Sequence, residues 1–183
     1  MPFVYIAVII AVYAADRLTK LWAAGALREV HGGSMPPIEG VFHFTYAENR
    51  GAAFGMLSNH RWVFIIVSTL ALAALAFYLF KYKPEGWLAR MSMSFIIGGG
   101  IGNMIDRSLL AYVIDFIDFC AFPEIWMWVF NVADSFVCVG AGMLMLYLVL
   151  STVKEIKQEK AKKAQSVATN DDSVSADQDK SNE

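Results

Sequence analysis

Two aspartates, Asp115 and Asp134, stand beside apolar segments, in the blocks Val113-Ile114-Asp115-Phe116 and Phe130-Asn131-Val132-Ala133-Asp134. An ionisable group at a bilayer costs several kcal/mol, so it is normally retained only for a function. Two carboxylates that meet can share one proton and activate a water molecule. This is acid–base hydrolysis that needs neither a metal nor a nucleophilic side chain. We therefore expect a catalytic pair, provided that the fold brings the two side chains together.

Two neighbours of this pair bear on the assignment. Asn131 lies three residues before Asp134, and its amide could donate to a carbonyl oxygen while the acid handles protons. A buried hydrogen-bonded pair that only aids packing is the alternative for Asn131. Asp118 is the rival of Asp115. We rank it lower because loop acids at a membrane surface are usually only solvated.

Asn103, Asp106 and Arg107 lie at helical spacing on one edge of a segment. Asp106 and Arg107 could form an ordinary charge cluster at the membrane interface. The amide of Asn103 on the same edge favours a polar network around a reaction centre. Asp16 and Lys20 are four residues apart, which suits an ion pair on one helical face that makes both charges tolerable near lipid. A role in supporting the active site is the other interpretation of this pair.

Composition points to lipid. The chain has 183 residues, of which 57% are hydrophobic and only 17% are charged, whereas a soluble domain carries about 25% charged residues. Four apolar segments, each near the roughly 20 residues that cross a bilayer, predict an all-α membrane domain over residues 1–153. They run from about Phe3 to Ala26, Trp62 to Phe80, Met91 to Leu110 and Ile125 to Val153. Gly98 and Gly102 in the third segment indicate close packing of helices.

The flanking cations predict the orientation. Lys81, Lys83 and Arg90 lie between segments two and three, and five lysines follow segment four, whereas residues 111–124 contain no Lys or Arg. By the positive-inside rule, both chain ends face the cytoplasm and both aspartates lie near the outer face. The β-type composition of residues 41–46 predicts a short sheet or an extended hairpin on that face, and we expect a short loop or helix there as well. Residues 154–183 begin as a basic helix-like extension and then become acidic and polar, which predicts a disordered cytoplasmic tail.

The sequence gives little support to other kinds of functional site. Cys120 and Cys138 suggest no disulfide framework, and His31, His43 and His60 lack ligand spacing, so no metal and no cofactor are expected. A small proton-coupled transporter is the main alternative function, and a non-catalytic lipid-binding or assembly subunit is a second. Transporters usually show internal repeats and broken helices, and neither is evident. A presenilin-type protease also uses two aspartates, but its G-x-G-D signature is absent because Asn103 follows Gly102.

Five blocks in order resemble the lipoprotein signal peptidases, the type II signal peptidases of bacterial inner membranes. They are Asp16-Arg17-Leu18-Thr19-Lys20, Asn49-Arg50-Gly51-Ala52-Ala53-Phe54, Gly99-Gly100-Ile101-Gly102-Asn103-Met104-Ile105-Asp106-Arg107 and the two aspartate blocks. The resemblance implies an aspartic endopeptidase with Asp115 and Asp134 as the catalytic residues. Its substrate would be a prolipoprotein carrying diacylglyceryl on a cysteine, cut just before that cysteine.

The resemblance also implies roles for the other motif residues. Asn49, Asn103, Arg107 and Asn131 match positions that line the substrate and inhibitor site, and the inhibitor would be the peptide antibiotic globomycin. Supporting positions are matched by Asp16, Lys20, Gly51, Ala52, Ala53, Phe54, Gly99, Asp106 and Ala133. We expect a monomer in lipid, with no nucleic-acid partner.

Two departures from the family pattern are visible. Position 17 is Arg where the family often has Gln, and the proline that commonly precedes the second aspartate block is replaced by Trp128-Val129, with Pro123 further upstream. The missing proline bears on the conformation of the loop that leads to Asp134. It does not affect the assignment of the catalytic pair.

Overall fold

The computed structural model describes residues 2–30, 33–51 and 61–180. The chain forms two compact units, Met1–Leu144 and Met145–Glu183. Every strand and the first three helices belong to the first unit, and the second unit is the continuation of the last helix. The elements in order are α1 (Pro2–Ala26), β1 (Ser34–Ile38), β2 (Phe42–Asn49), α2 (Arg61–Phe77) with a π-helical turn Tyr78–Tyr82, α3 (Trp87–Leu109), β3 (Val113–Phe119), β4 (Val129–Phe130) and α4 (Val132–Lys180).

A small antiparallel sheet carries one of the two aspartates. Its strands lie in the order β1-β2-β3-β4, so the predicted short sheet around residues 41–46 is confirmed. Strand β2 pairs with β3 such that His43 lies opposite Asp118 and Ala47 opposite Asp115, with a register shift between Phe44 and Ala47. Asp115 therefore lies within a paired strand, and the residues before and after it in the chain are held by pairing with β2.

The end of α1 packs against this sheet. Ala23 and Leu27 form a buried cluster with Ile114 and Phe116 of β3, and the ring of Trp22 meets that of Phe116 edge to face, with 6.0 Å between centroids. The two residues that flank Asp115 are thus anchored in apolar packing. This packing fixes the direction in which the Asp115 side chain leaves the strand.

Glycines allow α3 to lie very close to its neighbours. A Cβ atom on Gly98 would meet Val12 of α1 at 2.8 Å, and one on Gly99 would overlap the carbonyl oxygen of Ala133 in α4. The small-residue spacing had predicted such helix packing. As a result, the polar end of α3 comes within hydrogen-bonding distance of both α1 and the start of α4.

Two stretches of the described chain are long and apolar enough to cross a bilayer. They are Trp62–Tyr82 and Val132–Lys160, whose most apolar 18-residue windows have mean hydropathies of 2.5 and 2.2. Only 6% of the most apolar window in each is buried inside the protein, unlike the core helix of a soluble domain. These findings support a membrane protein. That α1 and α3 also cross the bilayer stays a prediction.

The fourth apolar segment begins later than the sequence predicted. Helix α4 starts at Val132, and not near Ile125, because Val129 and Phe130 pair with β3 and Asn131 caps the helix. The chain between β3 and β4 is irregular, with a turn in which Phe122 accepts from Ile125 and Trp126. Aromatic and β-branched residues near a sheet edge suit a strand as well as a helix, so hydrophobicity alone placed the boundary wrongly.

Helix α4 continues through the tail to Lys180. Residues 154–165 are mostly Lys, Glu, Gln and Ala, which are strong helix formers, and a helix-like extension is the sequence prediction for the start of this segment. The disorder predicted for the acidic and polar remainder of the tail stays a prediction. The predicted division into residues 1–153 and 154–183 as membrane domain and cytoplasmic tail stays a prediction.

The close approach of α3 to α4 can be tested at Gly99. Gly99→Ala should destabilise the protein by about 1–3 kcal/mol, because the added methyl group overlaps a backbone carbonyl that cannot rotate away. The measurement is thermal unfolding in detergent micelles. Gly25→Ala is the matched control, since nothing lies within 4 Å of a Cβ at that helical position. Equal unfolding temperatures for the two variants would contradict the packing.

Candidate active site

Asp115 is buried, and amide groups hold both of its oxygen atoms. The side chain is 1% exposed. Nδ2 of Asn49 donates to Oδ2 at 2.9 Å, and Nδ2 of Asn131 donates to Oδ1 at 2.6 Å. Asn49 is the last residue of β2 and Asn131 precedes α4, so the acid is held from two directions by separate elements.

Asp134 lies in the first turn of α4 and forms a reciprocal cap with Asn131. Its backbone N–H donates to Oδ1 of Asn131 at 2.8 Å, and its own Oδ2 accepts from the backbone N–H of Asn131 at 3.3 Å. This is the geometry of a capping box, which satisfies free donors at a helix start. The cap fixes the position of the Asp134 carboxylate relative to Asn131.

A single buried side chain therefore contacts both candidate acids. Asn131 is fully buried, its amide nitrogen faces Asp115, and its amide oxygen accepts from the backbone of Asp134. The negative charge of Asp134 also acts on the titration of Asp115. The structure thus brings together the two aspartates that the sequence singled out.

Asn103 links Asp134 to a buried cation. Nζ of Lys20 donates to Oδ1 of Asn103 at 2.8 Å, and Nδ2 of Asn131 donates to the same oxygen at 3.1 Å. An ammonium group has no acceptor, so the amide oxygen must face Lys20. The amide nitrogen is left to face Asp134, where it donates to Oδ1 at 2.7 Å. Lys20 therefore decides the orientation of this amide.

Lys20 is completely buried among acidic partners. Its Nζ lies 2.8 Å from Asp16 Oδ2 and 2.9 Å from Asp106 Oδ2, which confirms the geometry of the predicted i,i+4 pair and adds a second carboxylate. Asp16 in turn accepts from the backbone N–H of Ala133 at 3.0 Å. Arg17 approaches Asp106 at 3.4 Å. The cluster joins α1, α3 and the first turn of α4.

Burial gives Asp115 the properties of a general acid. It raises the pKa of this carboxyl to about 7, the charge of Asp134 acts in the same direction, and the hydrogen bonds from Asn49 and Asn131 oppose the rise. A carboxyl with such a pKa is present in both protonation states near neutral pH. It can therefore donate a proton to, or accept one from, a reacting group.

Arg107 and Gly51 lie on the open side of the acids. The Arg107 guanidinium donates to the carbonyl oxygens of Asn103 and Gly51, both at 3.4 Å, and lies 5.5 Å from the ring centroid of Phe64. The backbone N–H of Gly51 donates to Oδ1 of Asn49 at 3.1 Å. The predicted supporting residues Ala52, Ala53 and Phe54 lie outside the described residues.

A cleft of about 440 Å³ opens beside these groups. Asn49, Arg107 and Asp134 line its polar side, and Trp126, Trp128 and Phe130 line its apolar side. Trp126 meets Trp128 edge to face at 5.5 Å and Phe130 at 6.1 Å. Such a cleft suits a chain with both peptide and apolar parts.

Sequence reasoning missed the contribution of the tryptophans. Trp126 and Trp128 were not among the predicted site residues, yet both line the cleft. The feature of the sequence that could have identified these tryptophans is their closeness to the second aspartate block. Asp118, the rival for the catalytic role, accepts a hydrogen bond from Thr45 at 2.7 Å and has no described hydrogen bond to Asn49, Asn131 or Asn103.

Comparison with known proteins covers most of the chain. Residues 8–150 match the model of a family described as signal peptidase (SPase) II. The lipoprotein signal peptidase of Clostridioides difficile (strain 630) is 44% identical over 144 residues, or 79% of this chain and 93% of that protein. The lipoprotein signal peptidase of Caldanaerobacter subterraneus subsp. tengcongensis is 48% identical over 135 residues, or 72% of this chain and 88% of that protein.

Two solved structures, both described as bacterial membrane enzymes studied by the in meso method, share the fold. Each is 30% identical to this chain, and their TM-scores are 0.73 and 0.70. The matches cover 81% and 79% of this chain and 89% and 92% of the solved chains. With a family model that spans most of its length and relatives above 40% identity, this chain belongs to the signal peptidase II family.

Proposed function

We propose that the protein is a membrane aspartic endopeptidase that removes the signal peptide from diacylglyceryl-modified prolipoproteins, cutting just before the lipidated cysteine. The observation that carries the proposal is the contact of one buried amide, Asn131, with both Asp115 and Asp134. The membership of the signal peptidase II family supports the same reaction and substrate class. It gives no support to the alternative of a proton-coupled transporter.

The mechanism follows from one proton shared by two carboxyls. With its raised pKa, Asp115 holds the proton near neutral pH, and we assign the ionised role to Asp134. Asp134 takes a proton from water as the water attacks the scissile carbonyl, and Asp115 protonates the carbonyl oxygen. The roles reverse when the amine leaves, and the pair titrates as a unit. No metal and no cofactor take part in this scheme.

The substrate would lie in the cleft beside the acids. Asn49 and Arg107 line this cleft and would contact the peptide, and the apolar wall around Trp126 suits the residues near the cleavage point. Asn103 and Asn131 do not line the cleft, and their predicted contact with the substrate stays a prediction. The lipid chains would lie along the apolar helices, which sets the depth of cleavage. Globomycin, as a peptide inhibitor, would occupy the same cleft.

We place the protein in the bacterial cytoplasmic membrane as a monomer with four spanning helices. The two apolar stretches support two of these spans, and the lengths of α1 and α3, 25 and 23 residues, suffice for the others. The lysines after residue 153 support a cytoplasmic C-terminal end, and four spans would put the N-terminal end on the same side. The acids then lie near the extracytoplasmic face, where a translocated prolipoprotein would meet them.

The catalytic assignment is tested by isosteric amides. Asp115→Asn and Asp134→Asn should each lower cleavage of a diacylglyceryl-modified prolipoprotein at least about a hundredfold, because neither variant can share the proton. Unfolding temperature and micelle elution should remain those of the parent protein. Glu124→Gln, which changes an exposed acid of the intervening loop, is the control and should retain full activity.

Two outcomes would count against this assignment. Turnover that survives in both asparagine variants would refute the aspartic mechanism. Turnover that survives in Asp115→Asn and disappears in Asp118→Asn would transfer the role to the rival acid. Inhibition of the parent protein by globomycin, measured in the same assay, checks the occupancy of the cleft.

The pKa of Asp115 predicts the pH dependence of cleavage. The value of kcat/KM should fall as the pH rises above about 7, because the shared proton is then lost. Asn49→Ala removes a hydrogen bond that favours the ionised form of Asp115, so the pKa should rise and the falling limb should move to higher pH. If the falling limb stays in place or moves to lower pH in this variant, the pH dependence does not come from Asp115.

The buried cation is tested by removing its charge. Lys20→Met should destabilise the protein by about 3–5 kcal/mol, because Asp16 is then left buried without a cation and Asp106 keeps only the approach of Arg17. Unfolding in detergent micelles with increasing denaturant measures the loss. Arg50→Met removes a largely exposed ion pair with Glu48 and is expected to leave the unfolding midpoint unchanged. Similar midpoints for the two variants would show that Lys20 is not stabilising.

A further inference from the structure

A second group of chemically reactive side chains lies on the sheet, apart from the catalytic acids. Nε2 or Nδ1 of His43, a carboxylate oxygen of Asp118 and Sγ of Cys120 all lie within 4.8 Å of one another. The spacing of the histidines along the sequence gave no sign of it. The pairing of β2 with β3, which sets His43 opposite Asp118, brings the three together.

The histidine has one nitrogen held and the other free. Nδ1 of His43 lies 3.4 Å from Oγ of Ser34, and Oγ of Ser34 lies 3.0 Å from Oγ1 of Thr45. Nε2 is buried, and it is the one buried side-chain nitrogen or oxygen atom without a partner in the part of the chain that the structure describes. A buried nitrogen that is left without a partner is costly, so a group that binds it would be stabilising.

The carboxylate is held in the same way. Oδ2 of Asp118 accepts from the hydroxyl of Thr45 at 2.7 Å, and no described hydrogen bond uses its Oδ1. Metal-binding side chains in proteins are typically oriented by such outer hydrogen bonds, which fix the tautomer of a histidine and the direction of a carboxylate. Ser34 and Thr45 provide these outer contacts here.

We propose that His43, Asp118 and Cys120 bind one zinc ion. Imidazole, carboxylate and thiolate together are ligands that Zn²⁺ takes, whereas Ca²⁺ and Mg²⁺ prefer oxygen alone. Bonds of about 2.0–2.3 Å put tetrahedral ligands roughly 3.5 Å apart. Because the three ligand atoms lie within 4.8 Å of one another, the side chains need to close by at most about 1.3 Å. Three protein ligands leave the fourth position to water, and the half-buried state of all three lets an ion enter.

The ion would join the two strands that carry site residues. His43 lies on β2, six residues before Asn49, and Asp118 lies on β3, three residues after Asp115. A bond from each strand to one ion would hinder the strands from separating. The inference does not rest on the proposed protease activity, and a metal-binding measurement tests it without any cleavage assay.

Cobalt titration is the direct test, because Co²⁺ replaces Zn²⁺ and absorbs visible light. The full chain, free of any histidine tag, is purified in detergent micelles with a thiol-free reductant, stripped of metal with a chelator, and titrated with Co²⁺. We expect saturation at one equivalent, with a thiolate-to-cobalt charge-transfer band and the visible bands of tetrahedral cobalt. Added Zn²⁺ should remove both sets of bands.

Variants identify the ligands. His43→Ala and Cys120→Ser should abolish both sets of bands, whereas Cys138→Ser, which changes the other cysteine of the chain, should retain them. Ser34→Ala should weaken binding about 10–100-fold, because it loosens the histidine without removing a ligand. Zn²⁺ should raise the unfolding temperature of the parent protein and leave that of Cys120→Ser unchanged.

Several results would overturn the proposal. They are absence of the cobalt bands in the parent protein, bands that persist in His43→Ala, and bands that Cys138→Ser removes. Unfolding temperatures measured without metal show whether each variant is folded. If Cys120→Ser fails to fold, His43→Ala and Ser34→Ala decide the matter between them.

Discussion

The buried charge of Lys20 is the constraint on which the arrangement of the helices depends. An ammonium group with no exposure is tolerable only with acceptors on every donor, and Asp16, Asp106 and Asn103 provide them. These partners lie on α1 and α3. Because Asp16 also accepts from the backbone of Ala133, the start of α4 is drawn to the same point. Moving any of the three helices would leave a charge without its partner in an apolar region.

The candidate acids are held by amides that this cluster orients. Lys20 fixes the direction of the Asn103 amide, which then donates to Asp134. Asn131 bonds both Asn103 and Asp115. Each acid therefore keeps one position without direct contact from the cation. Burial raises the pKa of Asp115 to about 7, although the hydrogen bonds from Asn49 and Asn131 oppose the rise.

Local sequence patterns predicted much of this fold, and their failures have a common cause. Helices α1, α2 and α3 follow from long, mostly apolar runs, and the small sheet follows from the β-type residues 41–46. The start of α4 was predicted too early because Val129 and Phe130 are as compatible with a strand as with a helix. Their pairing with β3 decides between the two, and pairing is a contact that no local pattern contains. The roles of Trp126 and Trp128 in the cleft were missed for the same reason.

The sequence by itself determined which residues are the candidates for chemistry, because residue types and motif order singled out Asp115 and Asp134 among its acids and placed them beside apolar segments. It also determined that such charges need partners. The tertiary structure alone decided which partners they have: that Asn131 contacts both acids, that Lys20 bonds two carboxylates and an amide at once, and that His43 faces Asp118 across a strand pair. These contacts join residues far apart in the chain, and their geometry depends on strand register and on helix packing through glycine.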